Sequence, residues 1–278
     1  MKRLIICIFV FATALNSWST AQRGDVIFIY GEQWELLGDP IAEDSDLFHR
    51  VRGVLPKERA TSSNNWRGYV AYWSVRNDII YLDSITVPLF SFETGQECEQ
   101  LIPEDDIRSV FNEFYIDNEI IATWFSGNIR VGKGNIVRYE HIGYDRNVEH
   151  EQILTVKDGN IVNRVSYHNG IVVDGFSFKN LDSPNWQELI KEKIPFPVDI
   201  YPELAGKKIK FSVTQVQIDS IGNLIDCEVS TNAKNKVLKK RLPQEMKTVL
   251  RNIKPWKVWH FNGVYKPDID HCNFSISF

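Results

Sequence analysis

Three histidines and a group of carboxylates are the residues of this chain best suited to chemistry. His141, His150 and His168 fall in one stretch with Asp145, Glu149 and Glu151. Imidazoles and carboxylates together are the ligands of a hydrolytic zinc site, where the metal acidifies a bound water. The spacing argues against that chemistry. His141 and His150 are nine residues apart and His168 belongs to another predicted strand. Tyr139, His141 and Gly143 share one strand face, which solvent alone would explain. No HExxH, nucleophile elbow or phosphate loop occurs. Ser126, in Phe125-Ser126-Gly127, lacks the glycine pattern of a serine hydrolase. No catalytic residue, cofactor or metal ligand is assigned, and a non-enzymatic role is expected.

Cysteine chemistry is equally sparse. Beyond the N-terminal segment the chain carries Cys98, Cys227 and Cys272, with no CxxC and no Cys/His zinc spacing. The odd number leaves at least one thiol unbridged within the chain. Cys227 and Cys272 lie in predicted strands of one module. A disulfide between them and a pair of packed thiols are both compatible with the sequence. The aromatics Trp66, Tyr69, Tyr72, Trp73, Tyr81 and Trp124 are candidates for a glycan or peptide platform, with core packing the favoured reading.

These residues need a scaffold, and residues 22–180 read mostly as β-structure. Val26–Tyr30 and Gln33–Leu37 suit paired strands around Gly31. Gly68–Val75 and Ile79–Ile85 form a hairpin around Asn77-Asp78. Ile120–Phe125, Gly127–Val131 and Ile136–Ile142 follow, divided by Gly127 and by Gly132-Lys133-Gly134. Glu151–Lys157 and Ile161–His168 pair around Asp158-Gly159, a type I′ signal, and Ile171–Phe176 follows Asn169-Gly170. The spacing predicts a meander folded as a sandwich, an open barrel or one curved sheet. Residues 42–66 read as loop. A helix is predicted after Pro103, with Glu104, Asp105 and Asp106 in its first turn and Ile107, Val110, Phe111 and Phe114 on one face. A second, capped by Ser183 with Pro184 in its first turn, carries Trp186, Leu189 and Ile190 on one face. The extended Ile194-Pro195-Phe196-Pro197 follows it.

The N-terminus reads as a secretory signal. Lys2-Arg3 precedes an apolar run from Leu4 to Leu15, and Ser19-Thr20-Ala21 suits cleavage after Ala21. The run is shorter than the ~20 residues of a spanning helix, and Cys7 lacks a lipobox context. No later segment is long and apolar enough to span a membrane. A periplasmic or secreted location is expected, without a transmembrane anchor after cleavage. Charge is unevenly shared. Residues 22–180 hold 15 Lys+Arg against 25 Asp+Glu, a net of −10, while residues 181–278 hold 15 against 11, a net of +4. Two solvated surfaces are the simpler account, and Lys239-Lys240-Arg241 reads as a solvated face. The acidic pI of about 5.9 gives no support to nucleic-acid binding.

The last eighty or so residues carry the most information. Lys210–Gln217 and Leu224–Val229 alternate around Gly222-Asn223. Leu242, Met246, Val249, Leu250 and Ile253 recur at helical spacing, with Pro243 placed in the first turn and Pro255 as the stop. Pro255-Trp256, an Asn262-Gly263 turn and the alternating Phe274, Ile276 and Phe278 complete a small ββαβ module. Trp256, Trp259 and Phe261 are expected to cover its core.

From Tyr201-Pro202-Glu203 to Phe278, this ordered set resembles the C-terminal domain of the TonB family. The resemblance implies a small antiparallel sheet packed on a helix, recognising partner peptides in the periplasm through its sheet edge. No Pro-rich spacer follows the N-terminal hydrophobic segment, so energy transduction is not expected. The N-terminal region weakly resembles secreted β-rich bacterial proteins without an assigned activity. The carrying residues are Arg67-Gly68-Tyr69-Val70-Ala71, Ile79-Ile80-Tyr81-Leu82 and Trp124-Phe125-Ser126-Gly127.

The expected organisation is α+β. A signal peptide (1–21) precedes a β-rich meander domain (22–180), a helix and linker (181–199) and the TonB-C-terminal-like module (200–278). The expected function is recognition of envelope proteins or peptides in a Gram-negative bacterium, by strand addition at Asn273, Phe274, Ser275, Ile276, Ser277 and Phe278. A homo-oligomer is compatible with the same edge. The alternative is a ligand-binding or hydrolytic N-terminal β-domain that uses the C-terminal module for docking or oligomerisation.

Overall fold

The structure is a computed structural model that describes residues 21–59, 62–91, 96–139, 142–193 and 202–278. The signal segment, His141, the Ile194–Pro197 linker and Tyr201 lie outside the described residues. Strand accounts for 48% and helix for 22% of the chain, so the fold is mixed α+β and strand-rich.

The first strands are β1 (Asp25–Ile29), β2 (Glu32–Leu36), β3 (Val70–Arg76), β4 (Ile79–Ser91), β5 (Gln96–Leu101), β6 (Tyr115–Ile116) and β7 (Glu119–Ile121). Three long strands follow: β8 (Gly127–Tyr139), β9 (Arg146–Lys157) and β10 (Asn160–His168). Among the described residues they form one sheet in the order β10-β9-β8-β2-β1-β3-β4-β7-β6, with β5 also on β4. A short bridge from Asn160 to Ile79 joins β10 to β4, so the sheet curls round on itself there. The tight turns sit where the sequence places them. Asn77 and Asp78 adopt φ of 50° and 60°, and Asp158 and Gly159 adopt 48° and 77°, as a two-residue type I′ hairpin requires.

The sheet departs from a pure meander. β1 pairs β3 in parallel, with Val26 opposite Tyr72 and Ile29 opposite Val75. Such a pair needs a crossover, which α1 (Ser45–Val54) supplies. The expected loop at 42–66 is therefore corrected. Asp44 caps α1 by accepting from the Asp46 and Leu47 amides, and Leu47 and Val51, four residues apart, are its buried side chains. Gly132-Lys133-Gly134 does not divide two strands either. β8 runs through it because Gly134, at φ +94°, lets Glu149 lie against its backbone, where a Cβ would meet Oε2 at 2.6 Å. The helix after Pro103 is present as α2 (Glu104–Phe111), with Ile107, Val110 and Phe111 buried.

Contacts divide the chain into two compact units. The first comprises 1–129, 139–146 and 156–162, and the second 130–138, 147–155 and 163–278. The division crosses the long strands β8 to β10, whereas the sequence places it at 181–199.

The second unit adds β11 (Gly170–Val173), α3 (Pro184–Lys193), β12 (Lys208–Ile218), β13 (Leu224–Thr231), α4 (Lys236–Asn252), β14 (Val258–Phe261), β15 (Val264–Pro267) and β16 (Cys272–Ser277). These form two three-stranded sheets, β11-β14-β15 and β13-β12-β16. The simple ββαβ order is thus interrupted: β14 and β15 leave to pair with β11 before the chain returns as β16. Helix α4 also begins earlier than expected. Asn235 caps it, Leu238 extends the buried stripe, and Pro243 sits inside the helix, so Lys239-Lys240-Arg241 is helical.

One continuous core holds this unit together. Phe211, Val213, Phe274 and Ile276 from β12 and β16 meet Leu242, Met246, Val249 and Leu250 of α4. Trp256 is fully buried at its centre, stacked on Phe178 at 3.9 Å and parallel to Trp186 at 5.7 Å between ring centroids. Trp259 and Phe261 stack on each other at 5.6 Å on β14 and are half-buried, so they lie outside that core.

Candidate functional site

The sheet β13-β12-β16 has two edges, and they differ. On β13 the Arg251 guanidinium donates to the Ile225 carbonyl at 3.0 Å and pairs with Asp226 at 2.9 Å. Lys247 joins the same carboxylate at 2.5 Å. The hydrogen bond from Lys247 is the main cause holding the Asp226 carboxyl below its ordinary range. Side chains from α4 therefore occupy that edge, and the strand is also bulged opposite Thr214 to Ile218. Natural sheets blunt their edges in these ways.

Among the described residues the other edge carries no ion pair and no bulge, although α3 packs near β16. β16 pairs β12 in unbroken antiparallel register, from Lys208 opposite Ser277 to Val213 opposite Cys272. It contains no charged residue and no proline. The direction of its backbone groups follows from two observations. Phe278 donates to the Lys207 carbonyl at 3.0 Å and accepts from the Gly206 amide at 2.9 Å. Lys210 turns both backbone groups towards β13, through Asn232 and Thr231. Alternation then aims Ile209 and Phe211 at β16, and Phe274 and Ile276 back at β12. The amides and carbonyls of Asn273, Ser275 and Ser277 point to the other side. Their short polar side chains lie opposite the buried face of Cys272, Phe274 and Ile276. The start of the strand is anchored by Asp268, which accepts from the Phe178 amide at 3.1 Å and from the Ser177 hydroxyl.

Of the six residues expected to take a partner strand, three thus turn their backbone groups away from β12. Phe274 and Ile276 are core residues, and Phe278 is bound to the start of β12. Of the two arrangements left open for Cys227 and Cys272, the structure has the packed thiols: both are free and buried. They belong to β13 and β16, which flank β12. Two ladder spacings of about 4.8 Å exceed the ~6.8 Å reach of a disulfide between Cα atoms. Burial pushes both thiols up, Cys272 to about 12.

The other residues singled out by type fall into place around packing. Glu151 is buried and accepts from the Val148 amide at 2.8 Å, the Asn147 side chain at 3.1 Å and the Asn262 side chain at 2.8 Å. It pins the Asn262-Gly263 turn and is not an open ligand. Glu149 accepts twice from Asn135. Ser126 exchanges hydrogen bonds with Asp158 of the β9–β10 turn. Tyr69 and Trp73 are fully buried, and Trp124 packs between Trp73, Phe111 and Phe114. A platform made of these rings is therefore absent, although Trp66 is exposed. Among the described residues no group of three His, Cys, Asp or Glu side chains could hold a metal ion.

Sequence reasoning passed over one buried ionic cluster in the first unit. Asp25, fully buried on β1, accepts from Arg67 at 2.5 Å, the Ala71 amide at 2.8 Å and the Trp73 indole at 2.9 Å. Arg67 also lies 3.4 Å from Asp39 and over the Tyr69 ring. Burial pushes the Asp25 carboxyl from 3.8 to about 6, against the attraction of Arg67. A lone aspartate opening an apolar strand was the available signal.

Compared with protein-family models, curated proteins and solved structures, the chain matches none. No helix of the described residues is long and apolar enough to cross a membrane.

Proposed function

We propose that this protein recognises protein or peptide partners in the bacterial cell envelope by adding an extended partner segment to β16. The carrying observation is an uncharged, unbroken strand whose one ladder partner, among the described residues, is β12. Asn273, Ser275 and Ser277 would pair with the incoming backbone, and the exposed Asn273 and Ser277 side chains would contribute selectivity. The resemblance of residues 201–278 to TonB C-terminal domains supports the same reading. Location in the periplasm or outside the cell rests on the basic and apolar N-terminal segment. Recognition without energy transduction is the role assigned.

Deleting residues 273–278 would test this poorly, because Phe274 and Ile276 are core. Ser275→Pro is the sharper variant. It removes an amide that faces away from β12, a position where an edge strand tolerates proline. A lost backbone hydrogen bond with the added steric block is expected to weaken capture by about tenfold or more. Full-length chain and Ser275→Pro are compared in pull-downs from envelope extract read by mass spectrometry, with circular dichroism checking the fold. Partners lost by a folded Ser275→Pro chain fit the reading. Equal capture by both chains refutes it.

A second reading, ligand binding by the first unit, is favoured by one observation. A cleft of about 340 Å³ lies between β4, α2 and the β6–β7 turn, with Arg76, Asp83, Glu104, Tyr115 and Glu119 in its wall. Ligand binding by the full chain that is lost on Asp83→Ala, in the cleft wall, would move the function there.

A further inference from the structure

We propose that His150 and His168 form a binding site for a divalent late transition metal such as Zn²⁺. The two side chains come from neighbouring strands, β9 and β10, and both are exposed. Their Nδ1 atoms face each other at 3.4 Å, with ring centroids 4.9 Å apart and planes tilted by 44°. That separation is long for a hydrogen bond. It matches a metal edge instead: two nitrogens each about 2.0–2.1 Å from a tetrahedral zinc stand about 3.3–3.4 Å apart. A small ion would need little movement of either ring.

The neighbouring side chains are held by bonds of their own. Glu149 precedes His150 on β9 and does not complete a three-ligand group with the pair. Asn135 fixes the position of its carboxylate, through its amide at 3.0 Å and its side chain at 3.1 Å. His260, a further histidine of this unit, is excluded as a ligand by its own bonds. His260 Nδ1 lies 2.8 Å from the His168 carbonyl, which can only accept, so Nδ1 carries the proton. His260 Nε2 then accepts from the Gly263 amide at 3.1 Å. Both nitrogens are used, and His260 buttresses the backbone of His168.

Two imidazoles leave the remaining positions of a tetrahedral ion to water. Imidazole suits zinc, nickel and copper and does not suit magnesium or calcium. The site is open, so it would exchange its ion readily and accept a further ligand from outside the chain.

The test uses the full chain, stripped with EDTA, and Zn²⁺ competed against a chromophoric chelator, with Mg²⁺ as the unsuitable ion. The chain is expected to take up one Zn²⁺ and no Mg²⁺. His150→Gln and His168→Gln should each weaken uptake by more than about tenfold, since even outer-shell changes cost that much. His49→Ala, which removes an exposed histidine of the first unit, should leave uptake unchanged. Histidine side-chain NMR should show the His150 and His168 ring nitrogens shifting on titration while His260 keeps its tautomer. Because both substituted side chains are exposed, the unfolding midpoints in EDTA should match that of the parent chain. Absence of Zn²⁺ uptake overturns the proposal, as does uptake that survives either substitution.

Discussion

Arg67→Ala is expected to lower the unfolding free energy of the first unit by about 3–5 kcal/mol, the range for removing one partner of a buried ion pair. The reason lies in what remains. Arg67 is 1% exposed and pairs with Asp25, which is fully enclosed. Without the guanidinium the Asp25 carboxylate keeps only its amide and indole donors, and Asp39 loses its countercharge. Burial then dominates, so the Asp25 carboxyl rises further above its already raised value. The loss should be larger at pH 7 than at pH 5, because protonation neutralises the orphan. The parent chain has its own pH signature. The folded pKa of Asp25 is above the unfolded one, so its contribution is fully present below about pH 4. It is lost as pH rises through about 6. Asp25→Asn should remove that segment of the stability curve. Urea unfolding at several pH values, with amide exchange in β1 and β3 to read this unit separately, checks both statements. Replacing both residues by apolar ones of similar size should cost less than Arg67→Ala alone. A cycle in which the two losses simply add would show that the pair is not the unit of stability.

How much of this was legible follows from the range of each interaction. Turns are local, and Asn77-Asp78, Asp158-Gly159 and Asn262-Gly263 all adopt the positive φ their residue types favour. Helix α2 was equally clear, since three acids crowd its first turn ahead of an apolar stripe. Helix α1 was hidden because its buried face is only Leu47 and Val51, among charged neighbours. Its Asp44 cap was the missed signal. The start of α4 was misplaced because Pro243 looks like a first-turn residue, while Asn235 and Leu238 extend the helix before it. Strand pairing was least legible. Nothing local in Val26–Ile29 says that β3 lies parallel beside it. Nothing local says that β14 and β15 leave the C-terminal sheet for β11.

The candidate edge shows the same division. Alternation of Phe274, Ile276 and Phe278 identifies a strand with one buried face. It does not say which backbone groups turn outward. That answer came from the bonds of Phe278 to Lys207 and Gly206, which fix the phase of the whole strand. It is also why Ser275, rather than Phe274, is the residue to substitute. The Arg251 contact that closes the β13 edge spans 26 positions and has no sequence signature.

The second large effect is expected at Trp256. Trp256→Ala should destabilise the second unit by about 3–5 kcal/mol, as for other buried large-to-small changes. Three losses combine. The ring contacts with Phe178 and Trp186 disappear. A cavity opens between α3, α4 and the sheet. The Leu250 carbonyl, which accepts from the Trp256 indole at 3.0 Å, is left buried without that donor. Trp256→Phe keeps most of the stacking and loses the indole hydrogen bond, so it should cost about 1–3 kcal/mol. Thermal and urea unfolding, with amide exchange in β12 and β16 to isolate this unit, reads both variants. Against a typical domain stability of about 5–15 kcal/mol, the alanine change removes a large fraction of the whole. The pair of variants also separates fold from recognition. Trp256→Ala should lose partner capture and β16 protection together, because the strand rests on the core that the indole fills. Ser275→Pro should lose capture while protection of the Phe274 and Ile276 amides persists. If Trp256→Ala kept full capture with β16 unprotected, the partner would be bound elsewhere, and the edge would no longer account for recognition.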